Sequence, residues 1–411
     1  MIVSSKTIWS KVVLACFIMP SLLWGMTFTK SPDGSHELIS SLMSRIQKQD
    51  SLLLTDPQGR IIASKHANRL MTPASTLKIL TSLVALHYLG STYHFVTECY
   101  QDAQHNLKIR GMGDPLFTSD IMPEFAKQVY SHIHQYNDLL LDDSAFEQPL
   151  TISGVTRTSE PYDAPNGALC ANFNTVSFQK NHTGHFISAE SQTPLLSFVL
   201  NRIRALNVDS GRIVFSHSEN ASTLYTGHLL NWFFLRQGIT TSSGQIRVGA
   251  VHNGDRLLFR FVSPYTLTDI ISRLLEFSNN YIANQLFITS GITAYGLPGT
   301  IDKGIRAAQA YIHNELEAKD IQVVEGSGIS RDNRISAADM DQLLVKFYPY
   351  HKLMRRQGSE YFKTGTLDGV RTRVGYIQSG KGGVYRFVVM INTPGSTADS
   401  AMELIKKIAA L

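Results

Sequence analysis

Cysteine is scarce in this chain, its charges nearly balance, and long apolar runs are missing beyond the N-terminus. There are three cysteines in 411 residues. Cys16 falls within an N-terminal leader, so only Cys99 and Cys170 remain to pair, and only in an oxidising compartment. The formal net charge is +5, and setting aside the leader's two lysines lowers it to +3. So mild a balance speaks against a nucleic-acid partner. After residue 25 no apolar run reaches the length of a membrane span. Nor is there a metal signature: His132 and His134 stand two apart with no third ligand at sensible spacing, so they read as surface or structural histidines and no metal is expected.

What is present begins with the leader. Residues 1–25 read as a secretory signal peptide, with Lys6 and Lys11 in the basic region and Val12 to Trp24 as the apolar stretch, interrupted by Pro20. Cleavage is placed near Gly25, and an uncleaved N-terminal anchor is the alternative. The next residues, 26–95, give helix, hairpin, helix: an amphipathic helix over 35–49, strands Ser51 to Thr55 and Ile61 to Ser64 around Asp56-Pro57-Gln58-Gly59, then a helix from Thr72. Residues 96–250 change texture to short strand-like pieces (Leu107 to Arg110, Leu139 to Leu141, Leu150 to Ser153, Ile213 to Ser216) with one helix near Met122 to Tyr136. Helices return over 251–411 and precede three strands, Glu360 to Thr366, Arg371 to Gln378 and Val384 to Asn392. The two outer parts fit one another as an α/β domain: a five-stranded antiparallel sheet flanked by helices, with 96–250 as a β-rich domain inserted into it.

The chain is organised around Thr72-Pro73-Ala74-Ser75-Thr76-Leu77-Lys78. Thr72 reads as an N-cap and Pro73 as the first helical residue. Ser75 and Lys78 then share one helical face, a nucleophile with a base beside it. A second Ser-x-x-Lys, Ser177 to Lys180, follows an extended stretch, where an offset of three puts side chains on opposite faces, so it reads as a decoy. Lys363-Thr364-Gly365-Thr366 lies on a strand near a sheet edge. There Gly365 allows close backbone approach, and the lysine and threonine can hold a carboxylate. Ser278-Asn279-Asn280 breaks two helices, where side chains project into a cleft. Ser218-Glu219-Asn220 repeats the pattern without that context.

In this order the three motifs resemble the penicillin-recognising serine hydrolases. Ser75 and Ser278 are 203 residues apart, and Ser278 and Lys363 are 85 apart. The first gap is similar to that of the class C, DacB-type D-alanyl-D-alanine carboxypeptidases/endopeptidases. So are Gly111-Met112-Gly113-Asp114-Pro115-Leu116, Leu141-Asp142-Asp143-Ser144-Ala145-Phe146, Asn172-Phe173-Asn174, Gly326-Ser327-Gly328-Ile329-Ser330-Arg331 and Lys363-Thr364-Gly365-Thr366-Leu367. Two features depart from the pattern: Glu325 stands where an aspartate is usual, and the insert is somewhat short.

The resemblance implies a DD-peptidase/β-lactamase-like fold and roles for named residues. Ser75 would attack the penultimate D-alanine of a peptidoglycan stem peptide, Lys78 taking its proton in the neutral form. Ser278 would pass a proton to the leaving amine, and Asn280 would hold the substrate amide and Lys78. Lys363, Thr364 and Thr366 would anchor the terminal carboxylate beside Gly365, and the N–H groups of Ser75 and Thr366 would form the oxyanion hole. β-Lactams would acylate Ser75, no cofactor would be needed, and the site of action would be the periplasm. Asp142 reads first as capping a turn, with contact to a diaminopimelate amine as the alternative. The rival activities are a serine β-lactamase, which does not carry so long a first gap, and a non-hydrolytic penicillin-binding sensor, in which a motif would be decayed.

Overall fold

Strand Ser51–Thr55 carries three consecutive leucines and is buried along its whole length. Side chains alternate across a strand, so these leucines divide between two faces. Leu52 and Leu54 pack with Leu42, Met402 and Ile405, under helices Asp33–Arg45 and Asp399–Ala410. Leu53 faces the opposite way, into a cluster with Leu80, Leu274, Leu286 and Leu344. The neighbouring strand Val384–Ile391 repeats the division, with Phe387, Val389 and Ile391 on one side and Val388 and Met390 on the other. A sheet covered by helices on both faces follows. The structure is a computed structural model that describes residues 33–411 apart from 317 and 319; the expected signal peptide lies outside the described residues.

This sheet has the order Arg355–Gln357, Glu360–Leu367, Val370–Gln378, Val384–Ile391, Ser51–Thr55, Ile61–Lys65, and every neighbour is antiparallel. The five expected strands are all present. A sixth, Arg355–Gln357, adds a short outer edge that three polar residues do not advertise as a strand. It pairs only with residues 360–362, leaving Lys363 to Leu367 with no strand on their outer side among the described residues.

Residues 94–266 build further sheets. One has the order Ile246–Val248, Leu139–Asp142, Leu107–Gly111, His94–Gln101, Arg256–Thr266; a smaller one joins Phe186–Ser188, Val176–Lys180 and Ser210–Ile213. Their core is aromatic, with Phe125 edge-on to both Phe117 and Phe261. Three local expectations are corrected here. The helix from Met122 ends at Tyr130, after which Gln135–Tyr136 is extended. Leu150 to Ser153 is not a strand; Ser153 instead meets Ser330, hydroxyl to hydroxyl at 2.8 Å. A 17-residue helix, Ala221–Gln237, fills a stretch not expected to be helical. Its apolar side is Tyr225, Leu229, Leu230, Phe233 and Phe234, and Gly238 ends it in a left-handed conformation (φ 91°).

Arg256–Thr266 is a strand although its neighbourhood reads as helical. Phe261 is buried and Val262 is 56% exposed, the alternation of a sheet margin. It runs directly into helix Leu267–Phe277. Thr266 caps that helix, accepting from the Asp269 N–H while the Asp269 carboxylate accepts from the Thr266 N–H. The helix ends at Phe277, where Ser278 takes a left-handed conformation (φ 55°). Cys99 and Cys170 are free thiols in separate apolar clusters. Among the described residues no helix is long and apolar enough to cross a membrane.

Candidate active site

The turn that presents Ser75 is built differently from the expected capped helix. Thr72 does not cap; its hydroxyl accepts from the Arg334 guanidinium at 3.3 Å. The segment begins as a tight 3-10 turn, Ala74–Leu77, and becomes α-helical at Lys78–Leu89. Ala74 has a positive φ of 49°, a conformation that costs an L-residue free energy and persists only where its surroundings hold it. Two glycines do so. A Cβ on Gly328 would lie 1.9 Å from the Ala74 carbonyl oxygen, and one on Gly365 would lie 2.7 Å from the Pro73 oxygen. The Pro73 oxygen also accepts from the hydroxyls of Thr76 at 2.7 Å and Thr372 at 2.8 Å. The Ser75 turn is thus gripped between the 325–331 loop and the Lys363 strand.

Lys78 is fully buried, and its Nζ has three neighbours: Ser75 Oγ at 2.9 Å, Asn280 Oδ1 at 2.7 Å and the Ser327 carbonyl oxygen at 2.6 Å. Two are carbonyl oxygens, which can only accept. A neutral amine has two N–H donors and one lone pair, so those oxygens occupy both N–H bonds and leave the lone pair for the Ser75 hydroxyl. Burial holds the Lys78 amine well below the ordinary lysine range. The Lys363 cation pushes the same way, and the Glu325 carboxylate opposes both.

Ser278, Asn279 and Asn280 divide their work. Asn279 caps helix Asn280–Tyr295, its Oδ1 accepting from the Ile282 N–H at 3.0 Å. Ser278, left-handed at φ 55°, ends the preceding helix and receives the Lys363 Nζ at 2.8 Å. Asn280 offers Oδ1 to Lys78 and donates its Nδ2 to the Tyr162 carbonyl at 3.2 Å. Lys363 is itself buried, which pushes its amine down to about 7, with the Arg355 guanidinium as the next cause. On its strand Lys363 and Gly365 face the Ser75 turn, whereas Thr364 and Thr366 project from the other side of the pleat, exposed. Two serine–lysine pairs therefore meet across one cleft, each lysine buried.

Of the expected site residues, Thr364 and Thr366 share the Lys363 strand but turn their side chains to its other face, whereas Ser75, Lys78, Ser278, Asn280, Lys363 and Gly365 meet at this cleft. The decoy does not join it: Ser177 lies on strand Val176–Lys180, and Lys180 pairs with Asp209. Ser218-Glu219-Asn220 is the turn before helix Ala221–Gln237. Asp142 is buried and occupied, accepting from the N–H of Ser144 at 2.9 Å and of Val251 at 2.7 Å, with Arg110 at 3.8 Å. It caps a turn and is not offered to a substrate amine.

Two contributors had no motif of their own. Glu325 is buried and accepts from Ser327 N and Oγ, Gly328 N, Asn333 Nδ2 and Asn284 Nδ2, at 2.6 to 3.3 Å. It ties the Gly/Ser loop into the shape that aims the Ser327 carbonyl at Lys78. Tyr162 contributes only its carbonyl, and backbone atoms leave no mark on residue type.

Helix-covered antiparallel sheet, helix-start serine with buried lysine, and Lys-Thr-Gly edge together define the architecture of the penicillin-recognising serine hydrolases. The D-Ala-D-Ala carboxypeptidase 3 (S13) family matches residues 47–210 and 205–357, and the chain belongs to that family. A D-alanyl-D-alanine carboxypeptidase of Actinomadura sp. (strain R39) is 23% identical over 336 residues, 70% of this chain. The chain spans 62% of that relative's length. The D-alanyl-D-alanine carboxypeptidase DacB of Haemophilus influenzae is 22% identical over 402 residues, covering 82% of this chain and 83% of its own. The crystal structure of penicillin binding protein 4 (dacB) from Haemophilus influenzae superposes with a TM-score of 0.73 at 18% identity, over 91% of this chain and 99% of that one. That protein has also been solved complexed with a novel β-lactam, a structure similar at TM-score 0.68 and 17% identity over 90% of this chain and 98% of that one.

Proposed function

We propose that this chain is a serine-type D-alanyl-D-alanine carboxypeptidase/endopeptidase acting on peptidoglycan stem peptides and acylated by β-lactams. The observation that carries the reading is the Lys78 amine, buried, its two N–H bonds taken by carbonyl oxygens and its lone pair left for Ser75. As Ser75 Oγ bonds to the carbonyl carbon of the penultimate D-alanine, its proton passes to Lys78. The N–H groups of Ser75 and Thr366 take the oxyanion. The C–N bond breaks as Ser278 passes its proton to the departing D-alanine amine and regains one from the protonated Lys78, whose lone pair is thereby restored. Water then adds to the Ser75 ester, and Ser75 leaves with a proton as the acid is released. Lys363 holds the terminal carboxylate from within the cleft, the backbone of Thr364 and Thr366 lies beside it at the strand's open edge, and Gly365 lets the peptide lie against that edge as an added strand.

Names of relatives support the substrate class, and the Haemophilus β-lactam complex supports the inhibitor class. Peptidoglycan lies outside the cytoplasm, so the reading has residues 1–25 as a signal peptide and the mature chain in the periplasm. It divides the mature chain into a peptidase domain, residues 26–95 and 251–411, and an inserted domain, 96–250, that shapes access for cross-linked substrate.

The test is an intact-mass time course with benzylpenicillin, peptide mapping of the adduct, and D-alanine release from a stem pentapeptide. A long-lived adduct on Ser75 and release of D-alanine are expected. An adduct that forms and vanishes within seconds would turn the reading to a β-lactamase. No adduct on folded protein would overturn it.

A further inference from the structure

Among the described residues, segment Pro161–Gly167 gives the site one hydrogen-bond acceptor, the Tyr162 carbonyl, which accepts from Asn280 Nδ2. The segment is heavily restrained for something that supplies one hydrogen bond. Asp163, buried, accepts from the N–H and hydroxyl of both Thr156 and Thr158, at 2.6 to 3.2 Å. Three residues on, the Asn166 Nδ2 donates to the Tyr281 carbonyl and to Gln285 Oε1, both at 2.9 Å. Tyr281 and Gln285 are four apart on helix Asn280–Tyr295, hence on one face. Gln285, with no exposed surface, turns its Nε2 to the carbonyls of Gly113 and Gly167, both at 3.0 Å. Both its amide protons and its oxygen are thereby used.

An asparagine amide is nearly symmetric in shape, so only its partners decide which end faces where. The Tyr162 oxygen accepts and cannot donate, which selects Nδ2 on that side and leaves Oδ1 for Lys78. If the segment moved away, Asn280 could turn its Nδ2 to Lys78. The amine lone pair would then take an amide proton in place of the Ser75 hydroxyl. We infer that Asn166 and Gln285 are positioning residues for acylation: they clamp segment Pro161–Gly167 to helix Asn280–Tyr295, so that the Tyr162 carbonyl fixes the Asn280 amide with its oxygen toward Lys78. The inference rests on Ser75 being the acylated residue. It makes the stretch between the first two motifs a working part of the base, beyond a wall around the cleft.

The experiment measures benzylpenicillin acylation of the full chain by intact mass, as a maximal rate constant and a half-saturating concentration. Asn166→Ala and Gln285→Met should lower the rate constant tenfold or more, on the order expected for a base displaced by a fraction of an ångström, with the half-saturating concentration unchanged. The deciding readout is coupling. In an Asn280→Ala background, read over hours, Asn166→Ala should cost less than a further twofold. A full multiplicative loss in that background would overturn the inference in favour of a merely structural role. If Asn166→Ala fails to fold, Asn166→Ser, which keeps one donor, enters the same cycle. Failure of the wild type to acylate at Ser75 would sink the functional reading itself; a wild type that acylates alongside an equally fast Asn166→Ala would sink only this inference.

Discussion

Glu325 and Lys78 are linked through one residue: Ser327 gives its N–H and hydroxyl to the Glu325 carboxylate and its carbonyl oxygen to the Lys78 amine. The carboxylate thus acts on the Lys78 amine twice, by shaping the loop that supplies an acceptor and by its charge, which favours the protonated amine. Glu325→Gln keeps one acceptor oxygen and loses the charge, although its amide nitrogen can no longer accept from the donors on that side; the lysine range should fall further and the acid limb of the acylation profile move to lower pH. Glu325→Ala leaves a set of buried donors without partners and should destabilise the fold by at least about 3 kcal/mol, read from urea unfolding. An acid limb that stays in place in Glu325→Gln would rule out the electrostatic part.

Ser75→Ala should abolish the benzylpenicillin adduct and D-alanine release while leaving the melting temperature near that of the wild type. Ser177→Ala should be silent in both assays, because strand Val176–Lys180 carries that serine and its lysine on opposite faces. A large loss in Ser177→Ala would make Ser177 the nucleophile in place of Ser75. Lys78→Ala should slow acylation by roughly 10²- to 10⁴-fold, the usual worth of a positioned base.

Burial pushes the Lys363 amine down to about 7. A carboxylate ligand wants its charged form, so kcat/KM for a stem peptide should fall as pH rises through about 7, chiefly through KM. Stability should follow the opposite sign. The folded amine is held below its unfolded value of 10.5, so between 7 and 10.5 the unfolded chain binds the extra proton and stability rises with pH. Against Lys363→Met, wild-type melting temperature should therefore gain between pH 7 and 9. A constant difference across that range would contradict the buried titration.

Gly328→Ala places a methyl in left-handed backbone (φ 81°) and against the Ala74 carbonyl. Either the Ser75 turn or the Ser327 peptide must shift. Acylation should drop about a hundredfold, with a loss of at least 1 kcal/mol in stability. Gly380→Ala meets nothing within 4 Å and serves as the control.

The parts of the site legible in sequence were those where a side chain does the chemistry at a period that secondary structure imposes. Ser75 and Lys78 share a helical turn, and Lys363 sits on a strand of alternating burial. Ser278 and Asn280 flank a residue that caps a helix, which is why a pattern as weak as Ser-x-Asn places both side chains at the cleft there. The Ser327 and Tyr162 carbonyls were not legible, because any residue carries a carbonyl and only the fold aims it. The same limit applied to the fold. The leucine-rich strand Ser51–Thr55 announced itself, whereas helix Ala221–Gln237 mixes tyrosine, tryptophan, histidine and phenylalanine around much of its circumference and shows no clean stripe. Strand Arg256–Thr266 was obscured by the helix that follows without a turn. Arg355–Gln357 is too short and polar to read as anything but loop.

In the helix-covered sheet, Ser51 lies opposite Met390. Strand Ser51–Thr55 is made more than three hundred residues before its partner Val384–Ile391. The early hairpin must therefore wait, half its hydrogen bonds unmet and its leucines uncovered, while more than three hundred residues are added. The strands between His94 and Thr266 find their partners much closer along the chain. Loop closure over so long a span is slow, and an unpaired strand invites association with other chains. The sheet that grips the Ser75 turn is thus closed only after the chain has been made past Ile391.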